Sequence, residues 1–138
     1  MREQVAAALG IAGCLAVVVV LGLPYALFPA WGAELGQYYA AGPLGVGAAL
    51  FFVLVDIVVF LAGTRGRADP TTAAGIALTL GVVALLVTLS WALSASLDPL
   101  FGFPASWITD HRWIVVALTA VVPVAAGLYT RAVLESGA

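Results

Sequence analysis

Four predominantly apolar runs occur along this chain, at about 5–28, 44–62, 71–95 and 112–134. Each run is long enough to cross the roughly 30 Å hydrocarbon core of a bilayer as an α-helix. Hydrophobic residues make up 64% of the chain and charged residues only 9%, whereas soluble domains carry about 25% charged residues. The sequence therefore predicts an all-α integral membrane protein, a four-helix bundle formed by a single domain over residues 1–138.

The arginines predict how this bundle lies in the membrane. The chain contains five arginines and no lysine. Four of them, Arg2, Arg65, Arg67 and Arg131, would lie at one end of the bundle, and Arg112 would lie at the other. Basic residues beside membrane spans are enriched on the cytoplasmic side. We therefore expect both termini to be cytoplasmic.

The second apolar run carries one carboxyl group, Asp56, near its middle. A charged residue at the bilayer centre costs roughly 2.5–3.5 kcal/mol, so such residues usually face protein or water. Gly45, Ala49 and Gly63 share the helical face of Asp56 and would let another helix approach closely. We therefore expect Asp56 to point into the bundle. Helical rise places Thr79 at the same depth, which predicts a contact between Asp56 and Thr79, direct or through a water.

The residues leave three roles open for Asp56. It could bind a proton or a cation, or it could form a pairing point for another subunit. It could also be a protonated acid that donates a hydrogen bond to a neighbouring helix, a contact that contributes on average only about 0.6 kcal/mol in membranes.

A polar cluster, Asp110-His111-Arg112-Trp113, precedes the fourth apolar run. It could form an outer site for an anion or a partner, with Arg112 as the donor. The simpler interpretation is a solvated cluster that anchors the fourth helix at the membrane surface. The tryptophans also fall toward this outer end, where they predict an interfacial belt rather than a lined cavity: Trp31, Trp91, Trp107 and Trp113.

Several cofactor chemistries lack the residues they need. A retinal Schiff base requires a lysine, and the chain has none. His111 and Met1 are the only histidine and methionine, so we expect no haem within the bundle. The single cysteine, Cys14, ends a stretch at 11–14 that resembles a lipobox, the motif in which a cysteine is lipidated. Apolar residues follow it, whereas a lipoprotein would continue with a polar tether. This favours a packing seam of Ala6, Gly10 and Cys14. We expect no catalytic residue, metal, cofactor or nucleic-acid partner.

Four short motifs carry a family resemblance. They are Tyr38-Tyr39-x-x-Gly42, Arg65-x-Arg67-x-Asp69-Pro70, Trp91-Ala92-Leu93 and His111-Arg112-Trp113. Together they resemble small uncharacterised four-helix integral membrane proteins of halophilic archaea. The resemblance implies a location in the plasma membrane and supplies no catalytic residues.

Two functional hypotheses follow from these observations. The first is a non-enzymatic accessory or assembly subunit that acts by helix association, with the lipid bilayer around it and a protein partner or a second copy beside it. The alternative is a small oligomeric carrier or channel with a proton or cation site at Asp56.

Overall fold

The computed structural model describes residues 2–137, which form five α-helices and no strand. The helices are α1 (Glu3–Leu27), α2 (Gly32–Tyr39), α3 (Gly47–Thr64), α4 (Pro70–Ser94) and α5 (Ile108–Gly137), with short 3-10 turns at Pro29–Trp31 and Asp98–Leu100. Four of them, α1, α3, α4 and α5, are long and apolar enough to cross a membrane. The predicted all-α fold with four spanning helices is therefore confirmed. Met1 and Ala138, the two ends of the predicted domain, lie outside the described residues.

The four spanning helices form a closed bundle in which each packs against two others. Both α1 and α4 pack against α5 and α3, and the α1–α3 side has the least extensive contact of the four. At one end, the Ser136 hydroxyl donates a hydrogen bond to the Glu3 carboxylate at 2.5 Å and joins α5 to α1. We call this the terminal end. The opposite end, where α2 and residues 95–107 lie, is the α2 end.

The turn between α3 and α4 follows directly from its local sequence. The N-terminus of α4 is capped by Asp69, whose carboxylate accepts a hydrogen bond from the Thr72 amide at 3.1 Å, and the proline after Asp69 suits the first helical position. At the end of α3, Gly66 takes a φ of 73°. This lets the Arg67 amide donate to the Ala62 carbonyl at 3.0 Å, the Schellman arrangement.

Two spanning helices begin away from their expected positions. The second begins at Gly47 rather than at about 44, because residues 42–46 form a turn in which Gly42 and Gly45 have φ of 80° and 66°. The fourth begins at Ile108 rather than at 112, so the polar cluster lies inside α5. Asp110 suits this place because an acid in the first turn of a helix interacts favourably with the helix dipole.

Small residues let the helices approach closely. A Cβ added to Gly81 of α4 would lie 3.0 Å from N and 3.1 Å from Cα of Pro123 on α5. The predicted seam on α1 is confirmed, since its three residues are all buried: Ala6, Gly10 and Cys14. Such close contact provides the dispersion attraction that holds membrane helices together, because lipid supplies no hydrophobic drive between them.

Replacing Gly81 by alanine should push α4 away from α5, because the new methyl group meets backbone rather than a movable side chain. We expect Gly81→Ala to destabilise the protein by about 1–3 kcal/mol, measured by titrating the protein with SDS in mixed micelles. Gly127→Ala on α5 is the matched control, since a Cβ there meets nothing within 4 Å. Equal effects of the two changes would contradict the close contact.

Candidate functional site

Asp56 lies near the midpoint of α3 and is fully buried. The inward orientation expected from its small-residue face is confirmed. Neither of its carboxyl oxygens has a hydrogen-bond partner among the described protein groups. The Cys14 thiol on α1 is also fully buried and lies within electrostatic reach of this carboxyl group. An unpaired carboxylate in such surroundings is very costly, so the neutral acid is the favoured form.

The predicted direct contact between Asp56 and Thr79 is wrong. Thr79 is exposed, and its hydroxyl donates to the Gly75 carbonyl of its own helix at 2.9 Å. Counting helical rise gave the depth of Thr79 but not its direction around the axis of α4. The fully buried threonines among the described residues are instead Thr88 and Thr119, and each hydroxyl donates to the carbonyl four residues earlier, at 2.8 and 2.7 Å.

The polar cluster 110–113 does not act as one solvated unit, because successive residues of a helix face different directions. Asp110 and Trp113 are exposed. The Arg112 guanidinium donates to the Ala95 carbonyl at 2.5 Å and lies over the Trp113 ring, 5.7 Å from its centroid. His111 is only 1% exposed, so the interpretation of a wholly solvated cluster is wrong for this residue.

His111 joins three helices through its two ring nitrogens. Nε2 lies 2.8 Å from the Val20 carbonyl of α1, and Nδ1 lies 3.1 Å from the Tyr38 hydroxyl of α2. A carbonyl only accepts, so we assign the proton to Nε2, and Nδ1 accepts from Tyr38. Burial raises the pKa of Tyr38 above its usual range, which keeps its hydroxyl a donor. Trp91 of α4 in turn donates from Nε1 to the Tyr38 carbonyl at 2.8 Å.

The Val20 carbonyl is free to accept this bond because of a proline. Pro24 lies inside α1, four residues after Val20, and has no N–H to donate to it. The next carbonyl, that of Leu21, accepts a hydrogen bond from the Tyr39 hydroxyl. Side chains from α5 and α2 therefore satisfy the two carbonyls beside the proline, as the absence of water in a bilayer requires. We call Tyr38, Tyr39, Trp91 and His111 the aromatic cap.

Sequence reasoning missed the aromatic cap as a unit. It assigned Trp91 to an interfacial belt and used Tyr38 and Tyr39 as part of a motif, yet Tyr38 is fully buried and Trp91 is 1% exposed. The interfacial belt is thus wrong for Trp91, whereas the other three tryptophans remain at least partly exposed. The available signal was Pro24, whose released carbonyl needs a donor from another helix.

The fold and the aromatic cap define a small helical membrane protein with four spanning segments. A family model described as a family of unknown function, DUF7548, matches residues 1–134, and the chain belongs to that family. Neither the curated proteins nor the solved structures contain a match to this chain.

Removing the His111 side chain should leave the Val20 carbonyl unsatisfied. We expect His111→Ala to destabilise the protein by about 1–3 kcal/mol, the cost of an unpaired buried polar group. Pro24→Ala restores a backbone N–H that can donate to Val20, so His111→Ala should cost about 1 kcal/mol less in the Pro24→Ala background. Unfolding of the four proteins of this double-mutant cycle by SDS measures the difference.

The control for this cycle is Asp110→Ala, next to His111 on the exposed side of α5. We expect it to change stability by about 0.5 kcal/mol or less. Strictly additive effects of the His111 and Pro24 changes would contradict the proposed link between the proline and the histidine.

Proposed function

We propose that this chain is a non-enzymatic, multi-pass protein of the plasma membrane that acts by helix association, as an accessory or assembly subunit of a larger complex or as a homo-oligomer. The proposal rests on one observation. The lipid-facing side of α4 exposes a stripe of small and hydroxyl-bearing residues, and a Cβ at the glycine of this stripe would meet nothing within 4 Å. Its residues are Thr72, Gly75 and Thr79, which we call the α4 stripe.

The α4 stripe differs from much of the lipid-facing surface. Many positions there carry large apolar side chains suited to acyl chains, such as Val19 on α1 and Phe51 and Val58 on α3, each about 60% exposed or more, although Ala12 and Gly22 of α1 are exposed as well. The inner face of α4 is already packed in the bundle. Small residues at three- and four-residue spacing allow the backbone of another helix to approach closely. The α4 stripe is therefore a surface suited to an additional membrane helix.

The burial of Asp56 favours association over the carrier or channel alternative. In that alternative, several copies line a path beside Asp56. Asp56 is fully buried inside a single bundle, so an interface between copies would not include its carboxyl group. The α4 stripe also lies on the outer side of the bundle, away from Asp56.

The charge distribution supports the proposed orientation. Arg2 and Arg131 belong to the terminal end, as do Arg65 and Arg67 in the turn between α3 and α4, whereas Arg112 belongs to the α2 end. Positive charge at the terminal end is typical of a cytoplasmic face.

Filling the α4 stripe should prevent association. We expect Gly75→Leu to convert an oligomer or complex, isolated in mild detergent, into a single chain, because the leucine side chain separates the helix backbones. Light scattering coupled to size-exclusion chromatography measures the mass. Gly127→Leu, at another open glycine on α5, should leave the mass unchanged. A wild-type protein that is strictly monomeric and retains no partner would contradict the proposal.

The orientation can be tested with cysteine labelling in a Cys14→Ala background. Ser96 lies at the α2 end and Ser136 at the terminal end, and both are exposed. In intact cells, a membrane-impermeant thiol reagent should label Ser96→Cys and should label Ser136→Cys only after the membrane is opened. The reverse pattern would contradict cytoplasmic termini.

A further inference from the structure

We propose that Asp56 is a reversible proton-binding site in the middle of the bundle, reached along the α1–α3 side from the α2 end. The proposal concerns a site within a single chain and does not depend on the association of chains. Asp56 is fully buried, and neither of its carboxyl oxygens has a hydrogen-bond partner within residues 2–137.

The chemistry around Asp56 suits a proton and not a metal ion. Hard cations such as Ca²⁺ take about six to eight oxygen ligands, whereas residues 2–137 contain no group of three or more histidine, cysteine or acidic side chains that could hold a metal. The buried hydroxyls of Thr88 and Thr119 already donate to their own helices. A proton needs only one oxygen, and an isolated buried carboxyl group responds to its surroundings by taking one up.

Few titratable groups compete with Asp56 for this proton. On α1, the titratable group in the buried part of the helix is the Cys14 thiol. The buried residues in the middle of α4, Gly81 and Ala84, carry no titratable group, and the same holds for Thr119 and Val122 in the middle of α5. Protonation of the site therefore depends chiefly on whether water reaches Asp56.

An apolar groove leads toward Asp56 along the α1–α3 side. It has a volume of about 310 Å³ and is lined by residues that include Val18, Gly22, Gly47 and Leu50. Val18 is four residues from Cys14, about 6 Å along the helix axis, and Leu50 is six residues from Asp56, about 9 Å. The groove thus ends about two turns from the carboxyl group, on the side of the bundle where helix contact is least extensive.

The path from Asp56 toward the terminal end is filled by aromatic rings. The ring of Phe60, one turn below Asp56 on α3, stacks on Tyr129 of α5 with centroids 5.9 Å apart and an angle of 25°. Both side chains are fully buried, and the Phe60 ring lies against Gly10 of α1. Because these rings fill the terminal side, the proposed route runs through the groove on the α1–α3 side.

Infrared spectroscopy of the full chain in lipid vesicles tests the site. We expect a carboxylic acid C=O band that is present at acidic pH, disappears reversibly as the pH is raised, and is absent from Asp56→Asn. If Asp56→Asn does not fold, ¹³C-aspartate labelling of a variant with asparagine at the three exposed aspartates, Asp69, Asp98 and Asp110, identifies the band. A band that is absent at every pH, or one that never titrates, would overturn the proposal.

Hydrogen–deuterium exchange of the same band tests the route. Gly22→Leu fills the groove, because a Cβ at Gly22 meets nothing within 4 Å. We expect it to slow exchange of the Asp56 carboxyl proton by about tenfold, which corresponds to about 1.4 kcal/mol in barrier height. Gly127→Leu on α5 is the matched control and should exchange at the wild-type rate. Equal rates for the two variants would overturn the proposed route.

Discussion

The structure of the α2 end depends on one backbone carbonyl that must find a donor inside a bilayer. Pro24 withholds the N–H that would otherwise bond to Val20, and no water is available in hydrocarbon to replace it. His111 supplies the donor from α5 at 2.8 Å. Because His111 also accepts from Tyr38, the same ring fixes the position of α2. A proline in one helix thus determines how two others are held.

The bundle has different chemistry at its two ends and in its middle. Hydrogen bonds among aromatic side chains and backbone carbonyls hold the α2 end together, while the terminal end relies on the stacked rings of Phe60 and Tyr129 beside small residues. Between them lies Asp56, whose carboxyl oxygens have no hydrogen-bond partner among the described residues. This contrasts with the hydrogen-bonded side chains of the aromatic cap.

Much of the fold could be predicted from the sequence, because the length of an apolar run decides whether it spans a membrane. The turn at Asp69 and the inward direction of Asp56 also followed from local residues. The rotation of each helix about its axis could not be predicted in this way, since it is set by packing against other helices. This is why the outward direction of Thr79 and the burial of Trp91 were missed. The partner of His111 was beyond local reasoning as well, because Val20 lies 91 residues away.

The hydrogen bond from His111 Nε2 to the carbonyl released by Pro24 can be tested directly, because the chain contains a single histidine. Solid-state ¹⁵N NMR of the histidine-labelled protein in lipid bilayers distinguishes the two neutral tautomers from the charged ring. We predict a neutral ring at neutral pH with the proton on Nε2 and none on Nδ1. A ring protonated at Nδ1, whether neutral or charged, would contradict it.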